Sequence, residues 1–329
     1  MIPEKLKAGD EVRVIAPSRS MAILKDDCIN LATKRLEELG LKVTFGKHVL
    51  EADPDYMAAD AKARAEDLND AFADKNVKAI LTVIGGFNSN QILRYIDFEN
   101  IKNNPKIFCG FSDITILSDS IYAKTGLVTY SGPHYSSFGM KKGFMEYEME
   151  YFKKMFFENN EIEVKSSEEW SDDAWFIDQE NREFIKNDGM FIINEGEAEG
   201  KIVGGNLCTL NLLQGTEYMP SIEDSILFIE DDEMAGKLFF VEFDRNLISL
   251  IMQPGFKKVK GIVIGRAQKA ACMTNEKWIK LIKNKPELAN IPVIAGADFG
   301  HTTPIITFPV GGAAKLIAKD GKIELKIRG

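Results

Sequence analysis

With 329 residues, of which 45% are hydrophobic and 28% charged, the chain has the balance of a folded globular protein of one large or two ordinary domains. A formal net charge of −9 argues against a nucleic-acid polymer as the main partner, because phosphates need a basic surface. No apolar run approaches the roughly 20 residues that span a bilayer. The opening Met1-Ile2-Pro3-Glu4-Lys5-Leu6-Lys7 lacks the basic start and apolar stretch of a signal peptide, so a cytoplasmic location without membrane contact is expected. Cys28, Cys109, Cys208 and Cys272 are far apart, form no Cys-x-x-Cys pair, and are expected to be reduced. Three histidines without clustered ligands give no structural zinc pattern.

In chain order, Glu11–Ala16 reads as a strand ending in Pro17-Ser18, and residues 26–39 carry apolar positions at helical spacing closed by Gly40. Lys42–Phe45 is a second strand, and residues 58–75 form a charged, Ala-rich helix. Ala79–Ile84 and Lys106–Gly110 are continuous apolar runs, as in strands buried on both faces. Strands alternating with helices imply parallel βαβ units, whose ligand sites lie beyond the carboxyl ends of the strands. The expected fold is α/β. It comprises a parallel-sheet domain of flavodoxin or glutamine-amidotransferase type over 1–160, and a β-rich α+β domain over 191–329. The acidic, Trp-containing segment 161–190 lies between them. In the second domain, strands are expected at Lys201–Val203, Ser225–Ile229, Gly261–Ile264 and Ile291–Ile294. A helix is expected over 236–252 and a hairpin around Asp320-Gly321.

Gly110-Phe111-Ser112-Asp113-Ile114 begins at a strand end and runs into a helical pattern. There a serine sits on a sharp turn with its hydroxyl exposed, facing backbone N–H groups and the helix dipole. The second glycine of Gly-x-Ser-x-Gly is replaced by Ile114, and a simple helix cap is the competing reading. Gly85-Gly86-Phe87-Asn88-Ser89-Asn90 closes the neighbouring strand, and the Gly86 N–H could be an oxyanion donor. A plain strand-to-helix turn competes, and no nucleotide-loop glycine fingerprint is present, which disfavours a dehydrogenase. A serine needs a base: His48 has no distinguishing context, and composition does not choose between His134 and His301. Glu230, ending a very apolar strand, suits a group that orients the imidazole. Two other classes are carried alongside: a cysteine hydrolase using Cys109 or Cys208, and a non-catalytic protein that sequesters an aminoacyl nucleotide.

Together, Gly85-Gly86, Gly110-Phe111-Ser112-Asp113, Gly204-Gly205-Asn206-Leu207, Phe228-Ile229-Glu230-Asp231 and Gly300-His301-Thr302 resemble the LD-carboxypeptidase family of serine peptidases over nearly the whole chain. The resemblance implies Ser112 as nucleophile, His301 as base and Glu230 as its orienter, with oxyanion donors from the Gly86 and Asp113 backbone. It implies no cofactor and no metal, and a homodimer. One branch of the family releases a terminal D-amino acid from murein tetrapeptides. The other, a microcin-immunity branch, cleaves the amide joining an aminoacyl or peptidyl group to a modified adenylate. The 85–90 loop and Glu169-Trp170-Ser171-Asp172-Asp173-Ala174-Trp175 resemble the second branch. The resemblance thus implies a small peptidyl or aminoacyl-nucleotide substrate held by Trp175, then Trp170, with Phe87, Asn88 and Asn206. Packing of both tryptophans between domains is the competing reading.

Overall fold

A computed structural model describes residues 1–143 and 146–329. In the first half the order is β1 (Glu11–Ile15), α1 (Asp26–Glu38), β2 (Lys42–Phe45), α2 (Ala61–Ala73), β3 (Val77–Thr82), α3 (Phe98–Asn103), β4 (Ile107–Cys109), α4 (Thr115–Thr125), β5 (Thr129–Ser131) and α5 (Glu146–Phe157). The alternation read from the sequence is present. Its ends are set by caps: α2 starts late because the Asp60 side chain accepts from the Lys62 N–H at 2.8 Å. In the first sheet β2, β1, β3, β4 and β5 lie side by side in that order, all parallel. β3 is buried at every position except Lys78, as a strand covered on both faces must be.

The second half runs β6 (Ile162–Glu163), β7 (Glu169–Trp170), β8 (Ile185–Lys186), β9 (Phe191–Asn194), β10 (Gly196–Asn206), α6 (Leu207–Asn211), β11 (Ser225–Glu230), α7 (Phe239–Ile251), β12 (Gly261–Gly265), α8 (Asn275–Lys283), β13 (Val293–Ala297), β14 (Phe308–Val310), β15 (Ala313–Lys319) and β16 (Lys322–Arg328). Its eight-stranded sheet has the order β6-β16-β15-β10-β11-β12-β13-β9. The four central strands are parallel and joined through α6, α7 and α8, so a β-rich region carries an α/β centre. The flanking strands are antiparallel, including the expected hairpin β15–β16.

β14 belongs to the first sheet, antiparallel to β5 on its outer edge. Pro309 is tolerated there because an edge strand can spare one N–H. Phe308 carries the connection inward, its ring 5.0 Å from that of Phe228 and 5.2 Å from that of Phe299. The halves therefore share apolar clusters, with Tyr130 and Phe156 of the first half in the same one as Phe228 and Phe299.

Segment 161–190 is tied down by polar contacts. Buried Asp298, just beyond β13, accepts from the Ser167 N–H (2.7 Å), the Arg266 guanidinium (2.8 Å) and the Asn187 amide (3.2 Å). Arg266 in turn lies over the Trp170 ring at 5.1 Å. Asp298→Ala takes the carboxylate from a mostly buried guanidinium, which keeps only the Asn187 and Gly296 oxygens, so a loss of about 2–4 kcal/mol is expected in denaturant unfolding. A loss below about 1 kcal/mol would mean the clamp contributes little.

Candidate active site

The parallel strands of both sheets turn their carboxyl ends toward a common cavity of about 280 Å3. Its walls hold Arg19 after β1, Gly85 after β3, Ser112 after β4 and His134 after β5. From the second half come Glu233 after β11, Gln268 after β12, and Gly300, His301 and Thr302 after β13. Asp172, Asp173, Trp175 and Phe176 of the inter-domain segment and Glu148 of α5 also line it.

Ser112 sits one short turn before α4 with φ of 61°, in the left-handed region. A non-glycine residue held there costs about 1–3 kcal/mol and persists only where its surroundings enforce it. The enforcement is visible in Asp113. Its Oδ2 accepts from the Ser18 hydroxyl (2.6 Å) and from the Asn88 (3.0 Å) and Ser89 (2.9 Å) N–H groups. The loops after β1, β3 and β4 are thus pinned together. Gly85 packs against Ser112 so closely that a Cβ would lie 3.1 Å from Oγ and 3.6 Å from the Asp113 nitrogen. The backbone beside Ser112 is therefore open to a reacting carbonyl.

The Ser112 Oγ lies 2.9 Å from His301 Nε2, and His301 Nδ1 lies 2.8 Å from Glu230 Oε2. A carboxylate only accepts, so Nδ1 carries a proton toward Glu230 and leaves Nε2 to exchange one with the hydroxyl. Burial pulls the imidazole toward its neutral form. Glu230 outweighs that by charge and hydrogen bond, with Asp232 and Asp231 adding to it, and the pKa is raised to about 9. Asp231 is pushed up to about 7 by burial and by Glu230. Gly300 has φ of 107°, and a Cβ there would lie 2.6 Å from Glu230 Oε2. Gly300→Ala is expected to cost about 1–3 kcal/mol in stability and to lower kcat at least tenfold, read by thermal unfolding and turnover together.

The other histidines are placed differently. His134 lines the cavity, but its Nδ1 is 2.8 Å from the Thr82 hydroxyl and its ring stacks on Phe111 at 4.3 Å. Burial, with the charges of His301 and Arg19, lowers it to about 3, so it stays neutral. His48 is bonded to Glu51 at 2.7 Å, outside the cavity. Cys109 and Cys208 do not line the cavity, and burial raises both thiols, against a thiolate nucleophile.

Of the residues expected at the substrate, Trp175 lines the cavity, whereas Trp170 is taken up by Arg266 and Lys269. Asn88 is buried, its side chain engaging Arg64 (3.2 Å) and the Tyr56 carbonyl (3.1 Å). Asn206 is buried too, capping α6 and donating to Asp231 at 3.2 Å. Phe87 is exposed, away from the described walls. Arg19, Glu233 and Gln268 were missed by the sequence reading, although each follows a strand end, where that reading places ligand sites.

A serine, an imidazole and a carboxylate in one hydrogen-bonded line, at the carboxyl ends of the parallel strands of two sheets, define a serine hydrolase. The chain belongs to the LD-carboxypeptidase family of serine peptidases. Residues 12–132 match the model of its N-terminal domain and residues 199–316 that of its C-terminal domain. The Bacillus subtilis protein YocD is 52% identical over 99% of both chains. The Microcin C7 self-immunity protein MccF of Escherichia coli is 31% identical over 94% of this chain and 91% of its own. A crystal structure of an MccF-like protein from Bacillus anthracis superposes with a TM-score of 0.98, at 56% identity over 100% of this chain and 99% of that one. A structure of MccF in complex with glutamyl sulfamoyl guanosine gives 0.86 at 29% identity, covering 99% and 98%.

Proposed function

We propose that this serine peptidase cleaves the amide between an aminoacyl or peptidyl group and a modified adenylate, with Ser112 as nucleophile, His301 as general base and Glu230 as its orienter. The Ser112–His301–Glu230 line of hydrogen bonds is the observation that carries this reading. In the mechanism, Ser112 attacks the carbonyl as His301 takes its proton, and the Gly86 and Asp113 N–H groups receive the oxyanion. His301 then protonates the leaving nitrogen, and water releases the acyl group by the reverse steps.

The adenylate part of the reading is supported by Trp175 on the cavity wall and by the sulfamoyl-nucleoside complexes of MccF. An aromatic face offers a base about 1–3 kcal/mol. Trp175→Ala is accordingly expected to raise KM for aspartyl sulfamoyl adenosine by about 10- to 100-fold while changing kcat little. Mass spectrometry of aspartyl sulfamoyl adenosine and a murein tetrapeptide, each incubated with wild type and Ser112→Ala, tests the substrate class. Cleavage of the nucleotide compound alone supports it. Release of D-alanine alone keeps the triad and moves the reaction to murein peptides. An intact nucleotide bound stoichiometrically would replace catalysis by sequestration. A homodimer is the working form we infer from the family resemblance, with sedimentation as its check.

A further inference from the structure

Arg19 follows β1 and reaches the cavity beside Ser112. Its Nε donates to the Gly85 carbonyl at 3.1 Å, and its Cγ lies 2.9 Å from where a Gly86 Cβ would stand. The stem is thus fixed against the same glycines that border the serine. Its two terminal nitrogens make no hydrogen bond among the described residues. Asp113, whose charge acts on Arg19, already receives three hydrogen bonds on Oδ2 from Ser18, Asn88 and Ser89.

Among the described wall residues Arg19 is the one arginine or lysine, facing Glu148, Asp172, Asp173 and Glu233. Asp172 pairs with Lys269 at 3.4 Å, Asp173 pairs with Arg182 at 3.9 Å, and Glu148 accepts from the Ile305 N–H at 3.3 Å. A half-buried guanidinium fork left without a partner in an otherwise acidic cavity is poised for an anion. The acids favour a cationic amino group on the acyl side, so the anion belongs on the departing side of the scissile amide.

We propose that Arg19 is a specificity-determining residue that binds an anionic group carried within two bonds of the leaving nitrogen. This rests on the hydrolase reading above and holds for either substrate class. A terminal D-amino acid offers its carboxylate at that distance, and an aminoacyl adenylate analogue offers its sulfamate or phosphoramidate. Arg19 discriminates by pairing its fork with that anion, and a neutral leaving group leaves it unpaired.

The test uses matched substrates. One pair is aspartyl sulfamoyl adenosine and aspartyl 5′-amino-5′-deoxyadenosine, and the other a murein tetrapeptide and its C-terminal carboxamide. Wild type is expected to favour the anionic member of whichever pair it cleaves. Arg19→Met is expected to shrink that kcat/KM ratio by about 10- to 100-fold, chiefly through KM. Arg19→Lys is expected to recover part of the ratio, because an ammonium keeps the charge without the fork. Equal losses on both members of a pair would overturn the proposal and make Arg19 a support for Gly85. Binding of the anionic compounds to Ser112→Ala, with and without Arg19→Met, separates the two readings. If wild type hydrolyses nothing, the hydrolase assignment fails. A weakening of about tenfold or more with Arg19→Met would still mark the anion site, and unchanged binding would remove it.

Discussion

Replacing Ser112 with alanine is expected to lower kcat by about 10⁵-fold or more while leaving the fold intact. The size follows from the geometry: Oγ is the atom 2.9 Å from His301 Nε2, and the fully buried thiol of Cys109 offers no substitute nucleophile. Residual turnover would come from backbone donors and binding alone. Ser112→Gly is expected to be equally inactive but more stable than Ser112→Ala by about 1 kcal/mol, because only glycine accepts a φ of 61° without strain. Urea unfolding of the two variants measures that difference. Equal stability would show that the turn stores no strain.

The second large effect concerns Glu230. A base must be unprotonated to work, so kcat/KM is expected to rise with pH as His301 loses its proton. The midpoint should lie well above the ordinary 6.5, toward the value of about 9 that Glu230 and its acidic neighbours impose. His134, held neutral by burial, contributes nothing to that limb. Glu230→Gln removes the charge and lets the imidazole adopt the wrong tautomer. It is expected to lower kcat by about 10⁴-fold and to move the midpoint toward lower pH. Nitrogen-15 NMR titration of the His301 ring reads the shift directly. A midpoint unchanged in Glu230→Gln would mean the carboxylate does not set the imidazole's proton affinity.

Much of this site was legible because its residues occupy the positions at which chain chemistry changes abruptly. Ser112, Glu230 and His301 each stand where a run of apolar residues stops and polar residues begin. Such endings mark the carboxyl edge of a buried strand. The same rule would have found Arg19 after Pro17-Ser18 and Gln268 after β12, but neither residue type announces a role without its neighbours. The choice between His134 and His301 was not available from composition, since both follow strands on glycine-containing turns. It depends on which imidazole Glu230 can reach, a contact between residues 71 apart.

The short strands were legible least. β14 is three residues with a proline at its centre, and only its antiparallel pairing with β5 assigns it to the first sheet. Trp170 and Trp175 differ in placement because Arg266 and Lys269 lie over the first, while the second lines the cavity, a difference made by tertiary contacts. Asn88 and Asn206 looked like ligand groups in glycine-rich loops. In the structure their side chains hold those loops and the start of α6 in place.

Covalent catalysis by Ser112 is tested most directly by intact-protein mass spectrometry after rapid mixing with aspartyl sulfamoyl adenosine and acid quenching. An adduct of the acyl mass is expected within the first turnover, located by digestion to the peptide containing Ser112 and absent from Ser112→Ala. Hydrolysis at an undiminished rate in Ser112→Ala would contradict the assignment of this serine.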